Sequence, residues 1–220
     1  MPPNISMEAL RDFKTHPQGF LVALEGIDGS GKTTQTEFLK KLLISKGYPV
    51  LTLKEPTAES SYGKIIRSFS SHNRPDPAKE LELFVMDRDY DVKTNILPAL
   101  QEGKIVIIDR YIPSNMFYQG ALGIDLETIA RANLNFPWPD LIIILDLDVS
   151  KSLERLQTER QINPVYETDN YLNQVKNIVD SLVLPNAIKI QADKLINSIS
   201  TQIMELILEG LKIKFPTPPH

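Results

Sequence analysis

Short apolar, partly β-branched runs recur along the chain at Phe20–Glu25, Val50–Lys54, Ile105–Asp109, Leu141–Asp146 and Ile188–Gln191. Each is too short for a full helix and reads as a strand buried on both faces, the habit of a parallel sheet. Between them lie stretches of good helix formers. Lys32–Lys46 carries Phe38, Leu39, Leu42 and Leu43 and ends at Gly47, with Pro49 just beyond as a stop. Lys79–Leu97 has an apolar stripe through Leu81, Phe84 and Val85 beside an acidic one, and Pro98 is expected to kink it or begin a new turn. Ser150–Glu159, Tyr166–Leu184 and Ile196–Leu211 complete the helical set. Strands alternating with helices imply an α/β fold, an open five-stranded parallel sheet with helices on both faces. Ligands of such sheets gather beyond the carboxyl ends of the strands. Three polar segments begin there, at Gly26, Glu55 and Asp109.

The first of these, Gly26-Ile27-Asp28-Gly29-Ser30-Gly31-Lys32-Thr33, satisfies G-x-x-x-x-G-K-[ST] between a strand and a helix. Its glycines let the backbone turn tightly and approach an anion, so that successive N–H groups and the dipole of the following helix converge on phosphate oxygens. Lys32 is expected to reach the β- and γ-phosphates of a nucleoside triphosphate, and Thr33 to ligate Mg²⁺; Thr34 extends the loop's polar edge. The Asn-Lys-x-Asp and Asp-x-x-Gly strings that a regulatory GTPase would need are absent, and Asp109 is followed by Arg110, Tyr111 and Ile112.

Composition narrows the partners. Lys and Arg total 24 against 28 Asp and Glu, a net charge of −4, so no long basic stripe is available for nucleic acid. Cysteine is absent, which removes disulfides, thiolate metal sites and cysteine nucleophiles. No apolar stretch approaches the roughly 18 residues of a membrane span. The N-terminus lacks an apolar signal core, and Glu8 and Asp12 fit a transit peptide poorly, so the cytoplasm is the expected location. Residues 1–18 read as a short helical or disordered extension, 19–213 as the main domain with a short lid around 155–168, and 214–220 as a Pro-rich tail.

The remaining candidates face a second ligand. Asp109 can hold a magnesium shell and Arg110 can fork onto phosphate oxygens, although an Asp–Arg surface pair would look the same in sequence. Phe84 and Arg88 share a helix face, suited to stacking a base and fixing its edge, but spacing alone favours a core ring and a solvated charge. Ser114, Tyr118 and Gln119 follow Asp109 on what reads as a short helix after Pro113, and Gln119 offers both a donor and an acceptor to a base edge. Arg155 and Arg160 flank a break at Gln161–Pro164, either as lid charges for a transferring phosphoryl group or as exposed arginines at a helix end.

Taken in order, these pieces resemble the thymidylate kinase (dTMP kinase) family of P-loop nucleoside monophosphate kinases, from about Phe20 to Leu184. E-G-I-D-G-S-G-K-T-T carries the family's acidic residue at Asp28. Glu55-Pro56-Thr57 with Gly63 and Arg67 is similar to its E-P segment, and Leu83-Phe84 with Arg88 to its base-stacking pair. Asp109-Arg110-Tyr111 with Ser114 and Tyr118-Gln119-Gly120 resembles its D-R-Y/H motif. Pro139-Asp140 with Leu145-Asp146 and Tyr166-Glu167 match a later strand and the lid end. The resemblance implies transfer of the γ-phosphate of ATP to a deoxynucleoside 5′-monophosphate, most simply dTMP to dTDP, with Mg²⁺ and as a homodimer. It implies that Asp28 faces the acceptor sugar or the metal-bound phosphates, that Arg110 bridges the two phosphate groups and Phe84 stacks on thymine, and that Arg88 with Gln119 reads the base edge. Glu55, Arg67, Ser114, Tyr118 and Tyr166 complete the implied acceptor set, and a lid arginine, Arg160 or Arg155, supplies catalytic charge. Three features depart from the pattern: Lys54 stands where an Arg is usual, Thr57-Ala58 replaces two glycines, and Val165 precedes Tyr166 where an Arg is expected. A related deoxynucleoside or nucleotide kinase, and a non-catalytic nucleotide-binding module, remain the alternatives.

Overall fold

The computed structural model describes residues 10, 13–70, 72–159, 163 and 165–216. Five strands, β1 (Phe20–Glu25), β2 (Val50–Lys54), β3 (Ile105–Asp109), β4 (Leu141–Asp146) and β5 (Ala187–Gln191), form one parallel sheet in the order β2-β3-β1-β4-β5. The expected α/β class and strand count hold. β1 and β3 are buried throughout, as their unbroken apolar runs predict, whereas the outer strands β2 and β5 are largely half-buried or exposed. Register matters for the chemistry: Leu24 and Lys54 both lie level with Asp109, so the strand ends form one ledge.

Alternate strand residues point to opposite faces, and each face has its own core. Phe20, Val22, Leu24, Ile105 and Ile107 pack against Leu39 and Leu43 of α1 (Lys32–Ser45) and Ile199, Ile203 and Ile207 of α9 (Ile196–Lys214). Leu21, Ala23, Val106 and Ile108 pack on the other side against α3 (Pro77–Asp91), α5 (Ile112–Ala121), α6 (Leu126–Asn133) and α8 (Asp169–Ser181). Two short helices escape sequence reading, α2 (Ser61–Arg67) and α6. Each is marked only by a capping residue: Ser60 accepts from the Gly63 N–H, and Asp125 from the Thr128 N–H. The kink expected at Pro98 takes the form of a wide π turn, Val92–Ile96, leading into α4 (Leu97–Gln101), which lets the chain pass a residue without an N–H. α7 (Val149–Glu159) is as expected. The helix expected from Tyr166 starts at Asp169 instead, because the Thr168 side chain caps it.

Residues 13–19 pack onto the domain. Phe13 lies 4.6 Å from the Trp138 ring, and Trp138 N–H donates to the Lys14 carbonyl. Asp140 joins the two ends of the chain: its carboxylate lies 3.2 Å from His16 Nε2, accepts from Lys214 Nζ at 2.7 Å and accepts from the Leu21 N–H at 2.8 Å. Lys214 is the last residue of α9, so this helix runs into the segment expected as tail. Among the described residues no helix is long and apolar enough to cross a membrane.

Candidate active site

The loop from Gly26 to Thr33 joins β1 to α1 at the carboxyl edge of the sheet. Gly26 is required there: its φ is +134°, and a Cβ would lie 2.5 Å from the Leu145 carbonyl oxygen. Lys32 folds back over the loop and donates to the carbonyls of Gly26 at 3.0 Å and Ile27 at 2.8 Å, with Ser30 Oγ at 3.5 Å. Burial, reinforced by nearby Arg110, lowers its ammonium to about 8 against the pull of Asp28 and Asp109. A cavity of about 190 Å³ opens on this loop, lined by Asp28, Gly29, Gly31, Lys32, Thr33 and Thr34.

A second cavity, of about 360 Å³, lies beside it under α3 and α5. Of the residues singled out in sequence, Asp28, Glu55, Arg67, Phe84, Arg110, Ser114, Tyr118, Gln119 and Tyr166 line it. Asn115 and Asn163 line it too and carry no sequence motif that would have found them. The two cavities share Asp28, Lys54 and Arg110.

Arg110 is held in an unusual backbone conformation for a residue with a side chain, φ +72°. That conformation costs about 1–3 kcal/mol and persists because the surroundings over-determine it. Its N–H donates to the Leu24 carbonyl, and its guanidinium donates to Asp28 at 2.6 Å and to the Tyr118 hydroxyl at 3.2 Å while lying over the Tyr118 ring. Burial opposes ionisation of Asp28, but Arg110 and Lys32 outweigh it and hold the carboxyl below the usual range. Glu25, buried at the end of β1, accepts from the Tyr111 N–H at 2.8 Å and from Ser114 Oγ at 2.6 Å, so it anchors the start of α5. Burial raises its carboxyl to about 7, against the opposing effects of Ser114 and Arg110. Glu25 opens the E-G-I-D-G-S-G-K-T-T string, but nothing in that string assigns it a role of its own.

Two of the sequence candidates, Arg88 and Arg155, lie elsewhere. Arg88 is buried and does not line the cavity; it sits beneath the floor, bonded to Glu55 at 2.6 Å, to Asn133 at 2.5 Å and to Asn115. The solvated charge that spacing alone favours is instead a buried cation paired with Glu55. Arg155 donates to the carbonyls of Gly29 and Ala192 and lines neither cavity, so it braces the loop from behind. Arg160 lies outside the described residues.

At the metal candidates, Thr33 Oγ1 and Asp109 Oδ2 are 2.5 Å apart, and Lys54 Nζ donates to both, at 2.8 and 2.9 Å. Asp109 Oδ1 is buried without a hydrogen-bond partner among the described residues. Two hard oxygens already shared by one cation, with a further oxygen unsatisfied, fit a divalent ion provided that Lys54 swings aside. Lys54 is half-exposed and free to do so.

A parallel sheet in this strand order, with a phosphate loop after its central strand and a second cavity meeting that loop at an arginine and two other charged groups, defines a P-loop nucleoside monophosphate kinase. Comparison with known proteins carries this further. The Thymidylate kinase family model matches residues 24–203. A probable thymidylate kinase of Archaeoglobus fulgidus is 40% identical over 195 residues, covering 88% of this chain and 97% of that protein. A thymidylate kinase of Xanthomonas euvesicatoria is 35% identical over 204 residues, covering 93% and 90%. Another probable thymidylate kinase, from Pyrococcus horikoshii, is 47% identical over 146 residues, covering 64% and 71%. The chain belongs to the thymidylate kinase family.

Proposed function

We propose that this protein transfers the γ-phosphate of ATP to dTMP, giving dTDP and ADP. The observation that carries the reading is the meeting of two cavities at Asp28, Lys54 and Arg110. One is a small polar cradle on the phosphate loop; the other is larger, with an aromatic wall at Phe84 and an amide at Gln119. Family membership and the names of the relatives support ATP as donor and dTMP as acceptor.

In this reading the loop N–H groups and Lys32 hold the donor's β- and γ-phosphates. The acceptor base stacks on Phe84, and its phosphate lies toward Arg110 and Arg67. An acceptor phosphate oxygen forms a bond to the γ-phosphorus as the bond to the β–γ bridging oxygen breaks, and ADP departs. No general base is needed, because the acceptor phosphate is already ionised. Arg110 spans the shared boundary and neutralises charge on both phosphate groups, while Asp28 keeps its guanidinium aimed there. Thr33 and Asp109 would hold Mg²⁺, whose bound charge would screen the donor phosphates. Arg88 acts on the base through Glu55 and Asn115, which line the cavity above it. Arg160 is kept as the proposed lid charge, since Arg155 is committed to the Gly29 and Ala192 carbonyls. A cytoplasmic homodimer with no nucleic-acid partner completes the proposal; the last of these rests on the net charge of −4.

The test is a coupled assay of ADP release with each deoxynucleoside monophosphate and each nucleoside. dTMP is expected to give the highest kcat/KM. A preference for a nucleoside would make the protein a deoxynucleoside kinase, and silence across the panel would make it a binding module.

A further inference from the structure

Beneath the larger cavity runs a line of side-chain hydrogen bonds that the transfer step does not use. Arg74, in the loop between α2 and α3, grips the fully buried carboxylate of Glu80 with a two-pronged contact, at 2.6 and 3.1 Å. Gln119 Nε2 donates to Glu80 Oε1 at 2.9 Å, Asn115 Nδ2 donates to Gln119 Oε1 at 2.9 Å, and Arg88 donates to Asn115 Oδ1.

The direction of this chain is forced from both ends. An ionised carboxylate only accepts and a guanidinium only donates, so Gln119 must turn its nitrogen to Glu80 and Asn115 its oxygen to Arg88. The contact between the two amides then satisfies both requirements without a flip. Arg74 also reaches the far wall. It donates to the Val165 carbonyl at 3.2 Å and lies 4.7 Å from the ring centre of Tyr166, a cavity residue.

We propose that Arg74 and Glu80 form a positioning pair for the acceptor, fixing the amide of Gln119 in one orientation and mooring Val165 and Tyr166 against the cavity. The proposal rests on the larger cavity being the acceptor site. Without Arg74, the buried Glu80 carboxylate would lose the two-pronged contact that holds it in place, and Val165 and Tyr166 would lose their mooring. Arg88 still holds Asn115, so Gln119 keeps its oxygen toward Asn115, but its nitrogen loses a rigidly held acceptor and the amide loosens against the base edge. That matters for a base edge: thymine offers an acceptor oxygen where cytosine offers an amino donor. Loss of the pair should therefore weaken acceptor binding and blur the distinction between these bases, leaving the donor side intact.

The experiment compares wild type, R74M, R74K and F84A for calorimetric dTMP affinity, for KM of dTMP, dCMP and ATP, and for kcat. R74M is expected to lower dTMP affinity at least tenfold, to narrow the dTMP-over-dCMP preference by a similar factor, and to leave the KM for ATP within twofold. R74K keeps the charge but not the fork and should fall between wild type and R74M. If R74M does not fold, R74K carries the test, with the same intermediate loss expected. Unchanged dTMP affinity in the arginine variants, with affinity lost in F84A, would overturn the positioning pair alone. Unchanged affinity in F84A as well would overturn the acceptor reading of the cavity and the pair with it.

Discussion

Glu25→Gln isolates the energetic consequence of placing a carboxylate under the start of α5. Glu25 has no exposure to solvent and no direct cationic partner among its hydrogen bonds; the Tyr111 N–H and the Ser114 hydroxyl hold it. Its carboxyl rises from an ordinary 4.5 to about 7, chiefly because burial penalises the charge. A group raised in the folded state binds its proton more tightly there than in the unfolded chain. Its contribution to stability is therefore complete below about 4.5 and is lost as pH climbs through about 7. At about 1.4 kcal/mol per pKa unit, the full swing is about 3.5 kcal/mol, of which about 2.5 kcal/mol falls between pH 5 and pH 8. Glutamine keeps both contacts, accepting from the Tyr111 N–H and donating to Ser114, without the titration. The melting temperature of the variant minus that of wild type should thus widen in the variant's favour between pH 5 and pH 8, by about 5–10 °C at 2–4 °C per kcal/mol. Calorimetry across that range measures it, and other titrating groups cancel in the difference. A gap that stays constant with pH, or closes as pH rises, would refute the argument.

Further outcomes follow from individual contacts. Lys32→Ala should lower kcat by about 10²–10³, read in the coupled assay; a tenfold change or less would mean that the loop lysine does not meet the transferring phosphate. Gly63→Ala places a Cβ 2.1 Å from the Thr57 carbonyl oxygen and 2.7 Å from Asp87. It should cost about 1–3 kcal/mol in urea unfolding and raise the acceptor KM, since Arg67 is bonded to the same stretch at Pro56 and Thr57. Asp140→Asn removes the carboxylate shared by His16, Lys214 and the Leu21 N–H and should cost about 1–3 kcal/mol at neutral pH. Burial opposes ionisation of Asp140, but His16 and Lys214 prevail and its carboxyl is depressed, so this stability is present above its ordinary value of 3.8 and lost as pH falls. The difference between variant and wild type should then shrink toward pH 3, and one that grows in acid would contradict it.

What could be read from sequence follows the range of the interactions. The five strands and the phosphate loop declare themselves within a few residues, because an apolar run, a glycine turn and a following helix are local patterns. Phe84 and Arg88 shared a helix face as expected, but sequence could not say which side of the cavity floor each would occupy; Arg88 went beneath it because Glu55, Asn115 and Asn133 meet there. Arg74 shows the limit most plainly. It stands in a loop without a motif, 91 residues before the Val165 carbonyl it reaches, and only the folded chain joins them. The same holds at the chain ends, where Phe13 gains meaning from Trp138 and His16 from Asp140 and Lys214. α2 and α6 were missed because a seven- or eight-residue helix offers too few positions for a period to show.

The central claim is that the two cavities meeting at Asp28, Lys54 and Arg110 are the donor and acceptor halves of one reaction. A dinucleotide joining adenosine and thymidine through a chain of five phosphates tests it directly. The account predicts that this compound competes with both ATP and dTMP, binds at least tenfold more tightly than either, and loses that advantage in Arg110→Ala. Competition with one nucleotide alone, or an affinity no better than that of the separate halves, would contradict it.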